Sequence, residues 1–150
     1  MNSSSVAANL SPTQIRQARR FSVQLVYQLD LNQALFADDR TFQVFFNQFQ
    51  VPSEEHSFIQ WAVNRTLARL TDIDALVSKC STHWKISRIA KVDLAVLRIC
   101  SLELMERSDT AVDIIIADAV EIGKEFGSGN SSSFINGVLD SIMKSVRSAG

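Results

Sequence analysis

Proline and glycine are scarce in this chain, two and five among 150 residues. Tight turns and hairpins draw on both, so their scarcity disfavours a fold of many short strands and favours long helices. Cysteine is limited to Cys80 and Cys100, which form neither a CxxC pair nor a ligand-like spacing. They are expected to be free thiols in a reducing compartment. No excess of either charge exists: 15 Lys and Arg stand against 16 Asp and Glu, a formal net charge of −1. A nucleic-acid site, if there is one, must be a local patch and not the whole surface. No uninterrupted apolar run approaches the roughly 20 residues needed to span a bilayer. Residues 1–10, with Ser3, Ser4 and Ser5, lack both the basic start and the apolar run of a signal peptide. They are expected to be a disordered tail ahead of a single domain over residues 11–150, in a cytoplasmic protein without a membrane role.

What the chain does contain is helical periodicity. Hydrophobic residues make up 46% and charged residues 21%, a globular mix. A chain of 150 residues buries roughly 70% of the surface that it exposes when unfolded. Ser11-Pro12-Thr13-Gln14 reads as a capping box with proline at the first helical position. Ile15, Ala18, Ser22, Leu25, Val26 and Leu29 then face inward to an end near Asn32. Asp38 or Asp39 opens a second helix, in which Phe42, Phe45, Phe46 and Phe49 form a core-facing ridge. Pro52-Ser53-Glu54-Glu55 starts a third, with Ile59, Ala62, Thr66, Leu70, Ile73 and Val77 inward. It runs to about Cys80 or breaks near Thr71-Asp72. A loop around Ser81-Thr82-His83-Trp84 and a turn near Ser87 precede a helix over Asp93–Arg107. Asp113 is the expected cap of the next, which stops at Gly127 in the usual left-handed manner. Ser131 or Ser132 then caps a last helix with Ile135, Val138, Leu139, Ile142, Met143 and Val146 on its buried stripe. Asn136 and Gly137 are poor helix formers within it and call for close approach or a surface contact. The fold is expected to be all-α, about seven helices in packed bundles.

No catalytic constellation is present, so no enzyme, metal or cofactor is expected. His56 and His83 have no Cys or His at metal-ligand spacing. Glu103 with Glu106, and Asp118 with Glu121, are carboxylate pairs that no histidine follows, and they read as solvated helix faces. Arg98, between Leu97 and Ile99, suits a paired and partly buried arginine, with Glu103 or Asp140 as partner. Trp84 suits a core plug over its loop, and Phe134 suits either packing or contact.

A binding surface remains. Arg16, Arg20, Val23 and Tyr27 fall along one stripe of the first helix, with Arg19 beside them. Guanidinium groups fork onto phosphates and an aromatic ring stacks an unpaired base. The same pattern also describes an ordinary solvated face.

Four blocks, in order, resemble the NusB family of transcription antitermination factors: Ala18-Arg19-Arg20-Phe21-Ser22-Val23-Gln24-Leu25-Val26-Tyr27; Trp84 and Arg88 followed by Val92-Asp93-Leu94-Ala95-Val96-Leu97-Arg98-Ile99; Ile116 to Gly127; and Phe134-Ile135-Asn136-Gly137-Val138-Leu139-Asp140. They span about residues 14 to 147. The resemblance implies an all-helical fold of two sub-bundles that binds boxA-type RNA of ribosomal transcripts together with the small-subunit ribosomal protein NusE. The pair then joins other Nus factors on RNA polymerase and promotes read-through. By the same resemblance, Arg16, Arg19, Tyr27, Asn130 and Phe134 are RNA-binding, Arg20 of the same stripe is an RNA-binding addition to the family pattern, and Tyr27 and Asp93 face the ribosomal protein. Ile15 and Gln17 interrupt an arginine run that is denser in other members, which implies fewer phosphate contacts and a shallower salt dependence. Two other functions fit the same residues. One is the non-catalytic NusB-like domain of a ribosomal RNA cytosine methyltransferase, and the other is a homodimeric interaction module without RNA.

Overall fold

The computed structural model describes residues 6–81, 84–108 and 110–147. Seven helices lie between Pro12 and Arg147: α1 (Pro12–Leu31), α2 (Asp39–Gln48), α3 (His56–Ala68), α4 (Leu70–Cys80), α5 (Lys91–Glu106), α6 (Val112–Phe126) and α7 (Ser131–Arg147). Short 3-10 turns cover Ser53–Glu55 and Ile86–Arg88, and no strand occurs among the described residues. None of these helices is long and apolar enough to cross a membrane.

Helix α5 is the axis. Every residue from Asp93 to Leu104 is buried, because α1 and α3 pack on it from one side and α4, α6 and α7 from the other. Two sub-bundles therefore share one buried helix. A helix with so many enclosed positions carries charge only if the charge is paired. Arg98 is paired: its Nε and Nη2 donate to Asp74 at 2.9 and 2.8 Å, and Asp30 lies 3.6 Å from Nη1. These partners belong to α4 and α1, not to Glu103 or Asp140 as the sequence suggested. The phenylalanine ridge of α2 buries Phe42, Phe45 and Phe46. Phe45 meets Phe21 of α1 edge to face at 6.1 Å. His56 stacks on Phe46 at 3.7 Å, and its Nε2 is 2.9 Å from the Val51 carbonyl, so its role is structural.

Local signals set most helix starts. Ser11 Oγ accepts from the Gln14 amide at 3.1 Å while Gln14 Oε1 accepts from the Ser11 amide at 2.8 Å. Asp38 accepts from the Thr41 amide at 2.8 Å, which holds its carboxyl below the ordinary value. Four expectations need correction. Val6 is buried against the core and Ala7 and Leu10 pack beside it, so from Val6 onward the stretch read as a tail is part of the fold; residues 1–5 lie outside the described residues. Of the two readings of the third helix the break holds, but at Arg69 and not at Thr71-Asp72, giving α3 and α4. Ala111, not Asp113, occupies the cap position of α6, and Asp113 sits in the first turn, where its charge meets the positive end of the helix. Gly127 has φ −97°, not a left-handed value. A Cβ there would fall 2.7 Å from Ser131 Cβ and closer still to its Oγ, so glycine is required by the tight α6–α7 corner.

Candidate nucleic-acid interface

Helix α1 packs on more sides than a single stripe allows. Val23 is buried along with Ala18, Ser22, Leu25 and Val26, and Arg19 is fully enclosed. Arg19 forks onto Glu103 of α5, with Nη2 donating to Oε1 at 2.7 Å, and its Nη1 donates to Asp118 of α6. Arg107 Nη1 reaches the same Glu103 Oε1 at 2.9 Å. Burial alone would lower the pKa of the Arg19 guanidinium, but the Glu103 charge and hydrogen bond outweigh it and the pKa is raised. Cys100 beside this network has its thiol pushed up, by burial and then by Glu103, so it is an inert structural thiol. Arg19 is therefore a structural clamp between three helices and not an RNA contact. Glu103 and Asp118, read as solvated, are the buried anions that hold it.

The accessible guanidiniums are those of Arg16 and Arg20. The Arg16 side chain is 61% exposed, and its Nε donates to the outer oxygen of Asp118 at 3.0 Å. Asp118 thus ties the exposed arginine to the buried one. Arg20 forks onto Glu125, with Nε donating at 2.8 Å, and its Cζ lies 5.0 Å from the Phe126 ring centroid. The Arg20 hydrogen bond draws the Glu125 carboxyl below its ordinary value. Arg16, Arg20, Asp118, Ile122, Lys124 and Glu125 line a hollow of about 360 Å3 between α1 and α6.

Tyr27 lies about two turns beyond Arg20 along α1. It opens on a second hollow of about 440 Å3 with Val23, Gln24, Leu31, Phe49, Val92 and Phe126. A third, of about 460 Å3, is lined by Trp84, Arg88, Asp93, Ser128, Asn130 and Phe134 among others. Trp84 is 52% exposed and is not a core plug. It meets Phe134 edge to face at 6.4 Å and 76°. Phe134 is half-buried and packs against the core while also lining this hollow. Asp93 is 7% exposed, and its Oδ1 is buried without a hydrogen-bond partner.

The predicted residues are not gathered in one groove. Arg16 and Arg20 line the first hollow, Tyr27 the second, and Asp93, Asn130 and Phe134 the third. The hollows follow one another through shared or adjacent residues. Phe126 lies under Arg20 and lines the Tyr27 hollow. Val92 borders the second hollow and its neighbour Asp93 the third. Sequence reasoning missed Glu125 as the partner of Arg20, and gave no role to Arg88. A tryptophan set between polar residues and Lys85 was the available signal that Trp84 faces solvent. His83 lies outside the described residues. Among the described residues no group of His, Cys, Asp and Glu is arranged to hold a metal ion.

Comparison with known proteins adds an independent line. The NusB family model matches residues 16–144. The transcription antitermination protein NusB of Geobacter sp. (strain M21) is 32% identical over 139 residues, covering 87% of this chain and 94% of the relative. That of Acetivibrio thermocellus is 34% identical over 131 residues, covering 86% and 88%. Among solved structures, T. maritima NusB superposes with a TM-score of 0.74 at 27% identity, covering 86% of this chain and 89% of that one. A NusB solved with NusE and double-stranded RNA superposes at 0.79 with 20% identity, covering 89% and 98%, a likeness of fold.

Proposed function

The chain belongs to the NusB family, and from that premise we propose that it is a non-enzymatic transcription antitermination factor that binds boxA-type single-stranded RNA of ribosomal transcripts together with the ribosomal protein NusE. The observation that carries this reading is the run of three hollows. It offers two accessible guanidiniums for phosphates, then Tyr27 with apolar walls, then an aromatic corner beside Asn130. Phosphate contacts position a strand, and unpaired bases stack on aromatic rings. Arg16, Arg20, Tyr27, Asn130 and Phe134 are the proposed RNA contacts. Tyr27, with Asp93 at its border, is the proposed edge toward NusE, and the solved relative with NusE and RNA supports such a pairing. Assembly with other Nus factors and RNA polymerase follows as part of the same proposal.

The test is titration of boxA-type RNA at two salt concentrations, with and without NusE. Arg16→Ala/Arg20→Ala should weaken binding and reduce the slope of log K against log salt by about 0.7 for each lost phosphate contact. Equal affinity for a scrambled RNA, with and without NusE, overturns the reading. A self-associated form is a second proposal. It is motivated by Leu35 and Phe36 on the α1–α2 connection, which are 73% and 75% exposed. Light scattering with and without RNA should show whether dimer and RNA complex exclude each other.

A further inference from the structure

The cations that α1 offers to RNA are already held by carboxylates. Arg16 donates to Asp118, and Arg20 forks onto Glu125. At the other end of the run of hollows the balance is reversed. Arg88 closes the short turn before α5 and Lys85 precedes it, and both are exposed. Neither has a carboxylate within ion-pair distance among the described residues. Arg88 lines the third hollow, which holds about 460 Å3, within the range of sites that enclose a small ligand. Asp93 on the α5 wall is enclosed and is kept for the proposed NusE edge, so the exposed charge of this hollow is positive.

An aromatic surface stands beside these cations. Trp84 is 52% exposed, whereas Trp61, the other tryptophan, is 7% exposed. Phe134 meets Trp84 edge to face. Such a contact occupies one part of the indole and leaves the remainder in water, open to a planar group. Asn130 and Ser133, at the start of α7, border the same space with groups that both donate and accept. An aromatic platform flanked by unpaired cations is what single-stranded nucleic acid uses. Every base has a π-face to stack, and the backbone supplies the negative charge. A docked protein helix would ask for a continuous apolar floor. Here Ile89 is buried and Ala90 is small, so the two rings are almost all the apolar surface on offer.

We propose that this hollow is a one-nucleotide subsite for single-stranded RNA that tolerates any base. The indole of Trp84 stacks the base, and Arg88, with Lys85 beside it, takes the flanking phosphates. The proposal rests on the RNA-binding reading above and extends it to residues outside the contacts named there. It makes this end of the run the place where phosphate meets cations without first displacing a carboxylate.

The test reads the two tryptophans of the unaltered chain. Buried Trp61 emits to the blue and exposed Trp84 to the red, so the two components separate. Titration with boxA-type RNA, with and without NusE, should quench the red component along the same curve that fluorescence anisotropy of the labelled RNA follows. Trp84→Ala should weaken RNA binding about five- to a hundredfold with the salt slope unchanged, and Trp84→Phe should recover most of the loss. Arg88→Ala should weaken binding and reduce the slope of log K against log salt by about 0.7. A loss of packing alone would not divide the two variants in this way, and the quenching arm needs no variant to fold. RNA binding without quenching overturns the subsite but leaves the RNA-binding reading standing, as does full affinity in both Trp84→Ala and Arg88→Ala. AMP that quenches as strongly as RNA at equal nucleotide concentration overturns it in favour of a free nucleotide. Trp84→Ala that loses NusE without RNA present, and keeps its affinity for RNA, overturns it in favour of a protein contact. A chain that binds no RNA under either condition brings down the RNA-binding reading itself.

Discussion

Two arginines three residues apart on α1 have opposite fates, and the difference is where their carboxylates sit. Arg19 lies between Glu103 and Asp118, all three enclosed. Arg16 shares Asp118 but keeps most of its side chain in water. Breaking a buried ion pair leaves uncompensated charge, whereas an exposed pair contributes little. Arg19→Ala should therefore lower the unfolding free energy by about 3–5 kcal/mol in urea denaturation. Arg16→Ala should change it by no more than about 0.5 kcal/mol and act on RNA affinity instead. Arg19→Lys should fall between wild type and Arg19→Ala, because an ammonium group cannot span both oxygens of Glu103. A second enclosed acid acts in the other direction. Glu55 is buried, its Oε1 has no partner, and burial followed by the charge of Glu54 pushes its carboxyl pKa up. Its folded form thus binds a proton more tightly than the unfolded chain does, so wild-type stability falls as pH rises from about 4.3 through the raised value. Glu55→Gln removes that dependence. The stability of the variant relative to wild type should climb across that window in melts at a series of pH values and be level above it.

At the scale of the helix, what could be read from the sequence was what depends on near neighbours in the chain. Ser11 with Gln14 and Asp38 with Thr41 form their caps within four residues, and both were legible. A break near Thr71-Asp72 was one of two readings, but its place at Arg69 and the geometry at Gly127 depend on packing between helices, which no local pattern encodes. Gly127 illustrates the point. Its φ is open to any residue, yet α7 turns back so closely that Ser131 occupies the space of a side chain. Gly137 is the converse, a glycine inside α7 with nothing within 4 Å of a built Cβ. Gly127→Ala should destabilise the protein by about 1–3 kcal/mol through the forced shift of the α6–α7 corner. Gly137→Ala should stabilise it by about 0.5–1 kcal/mol, since it removes backbone freedom from the unfolded chain and meets no obstacle. Thermal denaturation of the two variants side by side checks both signs. If Gly137→Ala gains stability yet loses affinity for RNA or NusE, the glycine is there for contact, not for folding.

Over the whole molecule the all-helical class was legible and the distribution of charge was not. Helical periodicity fixes which residues are apolar on which face, but not how many faces a neighbour covers. Arg19 appeared to belong to a cationic stripe only because the enclosure of α1 by α3, α5 and α6 could not be seen. For the same reason the proposed contact residues line a chain of hollows and not one basic groove. A net charge of −1 gives the molecule no overall attraction for RNA, and Arg16 and Arg20 are already engaged by carboxylates. Glu125 is the informative one. It accepts a fork from Arg20 Nε and Nη2, and a phosphate can take that same fork only by displacing it. The pair is about half in water, so its own strength is small, and the competition it imposes should be correspondingly modest. Glu125→Gln should raise affinity for single-stranded RNA about two- to fivefold near 0.1 M salt and steepen the salt dependence by up to about 0.7, as Arg20 becomes a full phosphate contact. The gain should vanish when Arg20→Ala is introduced as well, because no guanidinium is then left to release. A gain that persists in the double variant would mean that removing one negative charge acts at a distance, and that Glu125 does not restrain Arg20 at all.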